Sequence, residues 1–255
     1  MCIMVNIGVI DSGVGGLTVL FDIINEYPNC NYYYIGDSKH CPYGKRNTEE
    51  IKKLSFKLVN YLVINKKIDI LVIACNTISS TSTTYLKSQF KDLIIIETVI
   101  PTVNYIKNMN VKNIGLIATE ATINSKMYEK KLKDYNVIPK ACPIFVDIVE
   151  DMNSTQNKKD IIVKQELKSL IDQNIDTLIL GCTHFPLLTK SISKTFNGKI
   201  VNSSKAIIIE LEKYIRKNNK KGIVEINTTG NNKMFEKQIK IMFRKEYNVN
   251  QIEIW

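Results

Sequence analysis

The chain has 255 residues, 44% of them apolar and 24% charged, which suits one large soluble domain or two of ordinary size. No apolar stretch approaches the roughly 20 residues that a membrane helix needs. The net charge of +10 comes from 35 Lys+Arg against 25 Asp+Glu, but the lysines are scattered through helical faces such as "KKLKDY" and "KYIRKNNKKG". With no RNA- or DNA-binding motif beside them, this charge reads as compositional bias and argues against a nucleic-acid partner.

The opening "MCIMVNIGVI" lacks the basic leader and small-residue cleavage site of a signal peptide, so a cytoplasmic location is expected. It reads as a strand, "IMVNIGVI" (3–10), and further apolar runs predict strands at "NYYYIG" (31–36), "IDILVIA" (68–74) and "DLIIIE" (92–97). The series continues with "VKNIGLIA" (111–118), "IDTLILG" (175–181), "KIVNS" (199–203) and "GIVEIN" (222–227). Helical patterns lie between them. One is "NTEEIKKLSFKLVNYLVINKK", where Asn47 and Glu50 have capping-box spacing. Continuous aliphatic runs alternating with helices indicate parallel strands covered on both faces, an α/β fold.

Two segments repeat. "NIGVIDSG" at 6–13 is echoed by "NIGLIATE" at 113–120, and "DILVIACNT" at 69–77 by "DTLILGCTH" at 176–184. Both offsets are 107 residues (113−6 and 176−69), so the chain is expected to form two similar doubly wound parallel-sheet halves. A pseudo-twofold relation between them would place an active site in the intervening cleft. The repeat pairs Cys75 with Cys182, each just beyond the carboxyl end of a predicted strand, where open α/β sheets collect their ligands.

The six cysteines (2, 30, 41, 75, 142 and 182) contain no C-x-x-C pair, and most read as small apolar residues. Two thiols facing one carbon atom from opposite sides suit stereoinversion: one removes a proton and the other returns a proton to the opposite face. A thiol's ordinary pKa of about 8.5 lets neighbours poise either protonation state. Asp11 follows the first strand and His184 lies two residues beyond Cys182, each a candidate partner for one thiol. Ser12, Asn76, Thr77 and Thr183 supply uncharged donors for substrate carboxylates. "DSGVGG" matches neither nucleotide-loop pattern. A metal site at Cys182 and His184 would have only His40 and Cys41 to draw on, so none is expected. A thiol-based redox or metal-binding protein and a basic nucleic-acid module are the readings from other classes.

Taken in order, "IGVIDSGVGGLTVL" (7–20), "YIGDSKHCPYG" (34–44), "VIACNTIS" (72–79), "IGLIATEATI" (114–123), "CPIFVDIVE" (142–150) and "LGCTHFPLL" (180–188) resemble the motifs of the cofactor-independent glutamate racemases of the aspartate/glutamate racemase superfamily. The resemblance implies that Cys75 and Cys182 are the proton carriers. Asp11 would assist Cys75, and Glu150 and His184 would assist Cys182. It carries substrate contacts to Asp11, Ser12, Tyr43, Gly44, Asn76, Thr77, Thr183 and His184, with Thr119 and Thr122 as neighbours of the pocket. It further implies a homodimer without cofactor or metal that supplies D-glutamate for peptidoglycan. One domain would comprise 1–97 with 208–255 and the other 98–207. Aspartate is the alternative substrate, since both amino acids offer an α-carbon and two carboxylates. The chain departs from the family pattern at Lys39-His40-Cys41, at Asp147 and at Asn202.

Overall fold

The computed structural model describes residues 4–217 and 220–254, so Cys2 and the first residue of the opening predicted strand lie outside it. Among the described residues, ten strands alternate with helices: β1 (Asn6–Asp11), β2 (Asn31–Gly36), β3 (Ile70–Ile73), β4 (Ile94–Ile96), β5 (Asn113–Ala118), β6 (Asn136–Ala141), β7 (Thr177–Gly181), β8 (Lys199–Asn202), β9 (Val224–Thr228) and β10 (Val249–Gln251). They form two all-parallel sheets, ordered β10-β9-β2-β1-β3-β4 and β6-β5-β7-β8. The two-sheet α/β expectation is met.

The repeat is structural. Ile7 pairs with Ile70 across β1 and β3, and Ile114 pairs with Thr177 across β5 and β7, so both partners move by 107 residues (114−7 and 177−70). The capping of the central strands follows the same offset. Asp69 Oδ2 accepts from Asn6 N at 2.8 Å, and Asp176 Oδ2 accepts from Asn113 N at 3.0 Å. These carboxylates satisfy amides that begin a strand and would otherwise lack a partner.

Each sheet is covered on both faces. Ile51, Leu58 and Leu62 of the helix Thr48–Lys66 pack on one face of the first sheet, and Leu17, Leu20, Ile207 and Phe235 on the other. Val103 and Tyr128 cover one face of the second sheet, and Phe145, Val163 and Ile192 the other. Asn47 caps the helix Thr48–Lys66 by accepting from Glu50 N at 2.9 Å, as the spacing predicts. The reciprocal half of the capping box is not made, because the Glu50 carboxylate pairs with Arg46 instead. Two strands, β6 and β10, fall outside the sequence-based expectation, and both are edge strands.

Candidate active site

Parallel strands point their carboxyl ends the same way, so the residues following β1, β3, β5 and β7 collect at one rim of each sheet. Cys75 is the N-cap residue of the helix Asn76–Gln89, which places its thiol at the helix's N-terminal end. Cys182 follows β7 and leads through Thr183 and His184 into the short 3-10 turn Phe185–Leu188. The two rims face each other across one small cavity. The first half lines it with Ser12, Cys41, Pro42, Tyr43, Gly44, Cys75, Asn76 and Thr77, and the second with Thr119, Val146, Cys182, Thr183 and His184. Its volume is about 20 Å³, close to that of one water molecule. A larger hollow of about 380 Å³ shares Cys41, Pro42 and Val146 with it and adds Lys39, Asp147 and Glu150.

Four hydrogen bonds tie the rims together. Thr77 Oγ1 and Thr119 Oγ1 lie 2.9 Å apart, and Thr18 Oγ1 donates to Thr183 O at 3.0 Å. Thr183 Oγ1 donates to Asp11 Oδ2 at 3.2 Å, and Tyr128 Oη donates to Asn76 Oδ1 at 2.7 Å. Thr119 Oγ1, which lines the cavity, also donates to Thr122 Oγ1 at 3.0 Å, so Thr122 sits one hydrogen bond behind the lining.

The thiols have different surroundings. Cys75 Sγ is 3.8 Å from Ser12 Oγ, and burial together with the nearby Asp11 carboxylate pushes its pKa up to about 12. Cys75 therefore rests as a protonated thiol. Asp11 is fully buried; Gly13 N donates to its Oδ1 at 3.0 Å. Burial raises the Asp11 pKa to about 6, although the charge of His184 and bonds from Gly13, Gly16 and Thr183 oppose the rise. On the other side, His184 Nδ1 is 3.8 Å from Cys182 Sγ, and its Nε2 lies 2.8 Å from Glu150 Oε1. Burial alone would lower the His184 pKa. Its bonds to Cys182 and Glu150 outweigh burial and push it up to about 10, which places an imidazolium next to the second thiol.

The sequence-derived site residues thus meet, with one refinement. Tyr43 lines the cavity, but its hydroxyl donates to Asp37, a fully buried carboxylate that also holds His40 Nδ1 at 2.9 Å. The Tyr43 phenol oxygen is therefore engaged with Asp37. His40 is engaged there and not beside Cys182, and among the described residues no group of three or more His, Cys, Asp or Glu is arranged to hold a metal ion. Sequence reasoning missed Pro42, Val146, Thr18 and Tyr128. A valine, a proline or a tyrosine in an apolar pattern gives no signal of a cleft. Cys41, singled out as a departure, lies at the site with its Sγ 4.0 Å from Glu150 Oε1.

The glycines of "DSGVGG" serve close approach. No described glycine has a positive φ. A Cβ on Gly15 would lie 2.6 Å from His184 Nδ1 and from Thr183 Oγ1.

A buried carboxylate with a raised pKa destabilises the fold once it ionises. Because the folded value of about 6 exceeds the ordinary 3.8, the native state binds the extra proton between those values. The Asp11 contribution is therefore most favourable below about pH 4 and is lost as pH rises to about 6, on the order of 3 kcal/mol in all. Asp11→Asn is expected to raise the melting temperature at pH 7 and to leave it nearly unchanged at pH 4. Thermal denaturation of both proteins across that range checks this, and an equal shift at the two pH values would contradict it.

Residues 20–211 match the family model described as Asp/Glu/Hydantoin racemase. A glutamate racemase of Persephonella marina is 39% identical over 235 residues, covering 90% of this chain and 87% of that one. A glutamate racemase isoform from Bacillus anthracis has a crystal structure similar to this one at a TM-score of 0.88, with 36% identity over 98% of this chain and 97% of that one. The glutamate racemase of Francisella tularensis, solved in complex with D-glutamate, also gives 0.88, with 28% identity over 98% of each chain. These matches run through both sheets and both thiol-bearing rims, and the chain belongs to the Asp/Glu/hydantoin racemase family.

Proposed function

We propose that this protein is a glutamate racemase that interconverts L- and D-glutamate by proton transfer between Cys75, Cys182 and the substrate α-carbon. One observation carries the reading: two thiols at repeat-equivalent strand ends line one cavity from its two halves, each with its own acid–base partner. In one direction Cys182 accepts the α-proton while Cys75 delivers its own proton to the opposite face; in the reverse direction they exchange roles. Asp11 takes up and returns the Cys75 proton. His184, held by Glu150, balances charge at Cys182. Ser12, Asn76, Thr77, Thr183 and the backbone at Tyr43 and Gly44 offer the carboxylates neutral donors, and the His184 imidazolium lines the same cavity. The first turn of the helix Asn76–Gln89 adds its dipole. The chemistry calls for no cofactor.

A cavity the size of one water is too small for glutamate, so the halves part to admit it and close to exclude water. The names of the relatives support glutamate as substrate. The resemblance to the family supports a homodimeric, cytoplasmic enzyme supplying D-glutamate for peptidoglycan. No described helix is long and apolar enough to cross a membrane.

The reading predicts that dialysed protein without added cofactor converts either enantiomer of glutamate to a racemic mixture, followed by polarimetry. L-Aspartate, one methylene shorter, is expected to turn over at least tenfold more slowly, the range one methylene of pocket fit supplies. Preference for aspartate would reassign the substrate, and no turnover of either amino acid would remove the racemase reading.

A further inference from the structure

The side-chain amide of Asn76 has two ends, and among the described residues only one is taken up. Its Oδ1 accepts from Tyr128 Oη at 2.7 Å, whereas no described residue takes up its Nδ2, which is left for the cavity that Asn76 lines. The two residues belong to opposite halves. Asn76 follows Cys75 at the start of the helix Asn76–Gln89, while Tyr128 lies on the short helix Met127–Lys131 with its ring in the core of the second sheet, among Val99, Val103 and Leu116.

The direction of this bond decides what the substrate meets. Burial holds the Tyr128 phenol far above its ordinary pKa, so it keeps its proton at every working pH and remains available as a donor. An amide oxygen only accepts. With the phenol proton on Oδ1, the NH2 group is presented to the cavity as a donor for a carboxylate. The flipped amide would offer a lone pair to a negative charge and repel it.

We propose that Tyr128 is a positioning residue for substrate binding: reaching across from the opposite half, it locks the Asn76 amide with its NH2 group toward the substrate carboxylate. The bond spans both rims, so this orientation is complete only when the halves are together, which couples closure to recognition. The inference rests on the racemase reading and deepens it.

Tyr128→Phe tests it, since the ring and its packing are retained and only the hydroxyl is lost. The expected result is a roughly tenfold rise in KM for both enantiomers, the loss of one well-made hydrogen bond, with kcat changed less than about threefold. A purely structural tyrosine would lower the melting temperature without this split between KM and kcat. Asn76→Ala and the double variant complete a cycle. If Tyr128 acts through Asn76, removing the hydroxyl from Asn76→Ala changes KM no further. An unchanged KM in folded Tyr128→Phe, or effects that multiply in the double variant, would overturn the proposal while leaving the racemase reading intact. Absence of glutamate turnover by the unmodified protein would overturn both.

Discussion

Cys75→Ser and Cys182→Ser are each expected to lower kcat for glutamate racemisation by about 10³-fold in both directions, within the range that a positioned acid or base contributes. Serine nearly matches the thiol in shape, and both sulfurs sit beside polar atoms that accommodate a hydroxyl: Ser12 Oγ for Cys75 and His184 Nδ1 for Cys182. The fold should therefore survive, and the change isolates the proton. A hydroxyl is far too weak an acid to exchange protons with these partners at neutral pH. Removing either carrier leaves one face of the α-carbon without a donor, so neither enantiomer can be inverted. Cys30→Ser and Cys142→Ser provide the contrast. Those thiols are buried in the cores of the first and second halves, away from the cavity, so their replacement should affect stability and leave kcat within about twofold. Steady-state kinetics from each enantiomer decides the matter. A Cys75→Ser or Cys182→Ser protein that keeps more than about a tenth of the activity would show that its thiol is not a proton carrier.

Gly15→Ala is expected to cost about 100-fold in kcat/KM. The added methyl would lie 2.6 Å from His184 Nδ1 and Cε1 and 2.6 Å from Thr183 Oγ1, inside any attainable contact distance. Gly15 belongs to the first half and His184 to the second, so the collision must push the halves apart or swing the imidazole away from Cys182 and Glu150. Displacement of a catalytic group by about 1 Å can cost on the order of 100-fold. Gly13→Ala is the milder neighbour, because its Cβ would meet the Cys41 Sγ at 3.1 Å with no other atom closer than 3.8 Å, a contact that a small rotation of Cys41 relieves. The same kinetic assay on the two variants measures the difference. Equal activity of Gly15→Ala and the unmodified protein would mean that the halves do not work in this closed arrangement.

The repeat made much of this legible from sequence. A shared 107-residue offset already paired Cys75 with Cys182, and the same offset reappears in the strand register and in the Asp69 and Asp176 caps. The two unpredicted strands have physical reasons. β6 carries Pro139, which reads as a breaker, yet as an edge strand opposite Leu116 it tolerates a residue that cannot donate to the ladder. β10 is three largely polar residues, and its pairing with Ile226–Thr228 is a tertiary effect with no local pattern to announce it. Asp11 and His184 were legible because they adjoin strand ends. Glu150 was reached only through the family resemblance, since its contact with His184 spans 34 residues and depends on where the helix Pro143–Glu150 ends. The engagement of Tyr43 with Asp37 was not legible, because an aromatic between Pro42 and Gly44 gives no clue to which way its hydroxyl points.

The central claim is that two opposed groups, each in proton exchange with solvent, act on one α-carbon. Racemisation of L-glutamate in D₂O, stopped at a few per cent conversion with the α-hydrogen content of each enantiomer then measured, tests it most directly. Two thiols predict D-glutamate carrying deuterium at the α-carbon while the remaining L-glutamate keeps its proton, and the mirror result starting from D-glutamate. Early D-glutamate that retains the original proton, or deuterium appearing equally in both enantiomers, would point to a single carrier serving both faces and contradict the account.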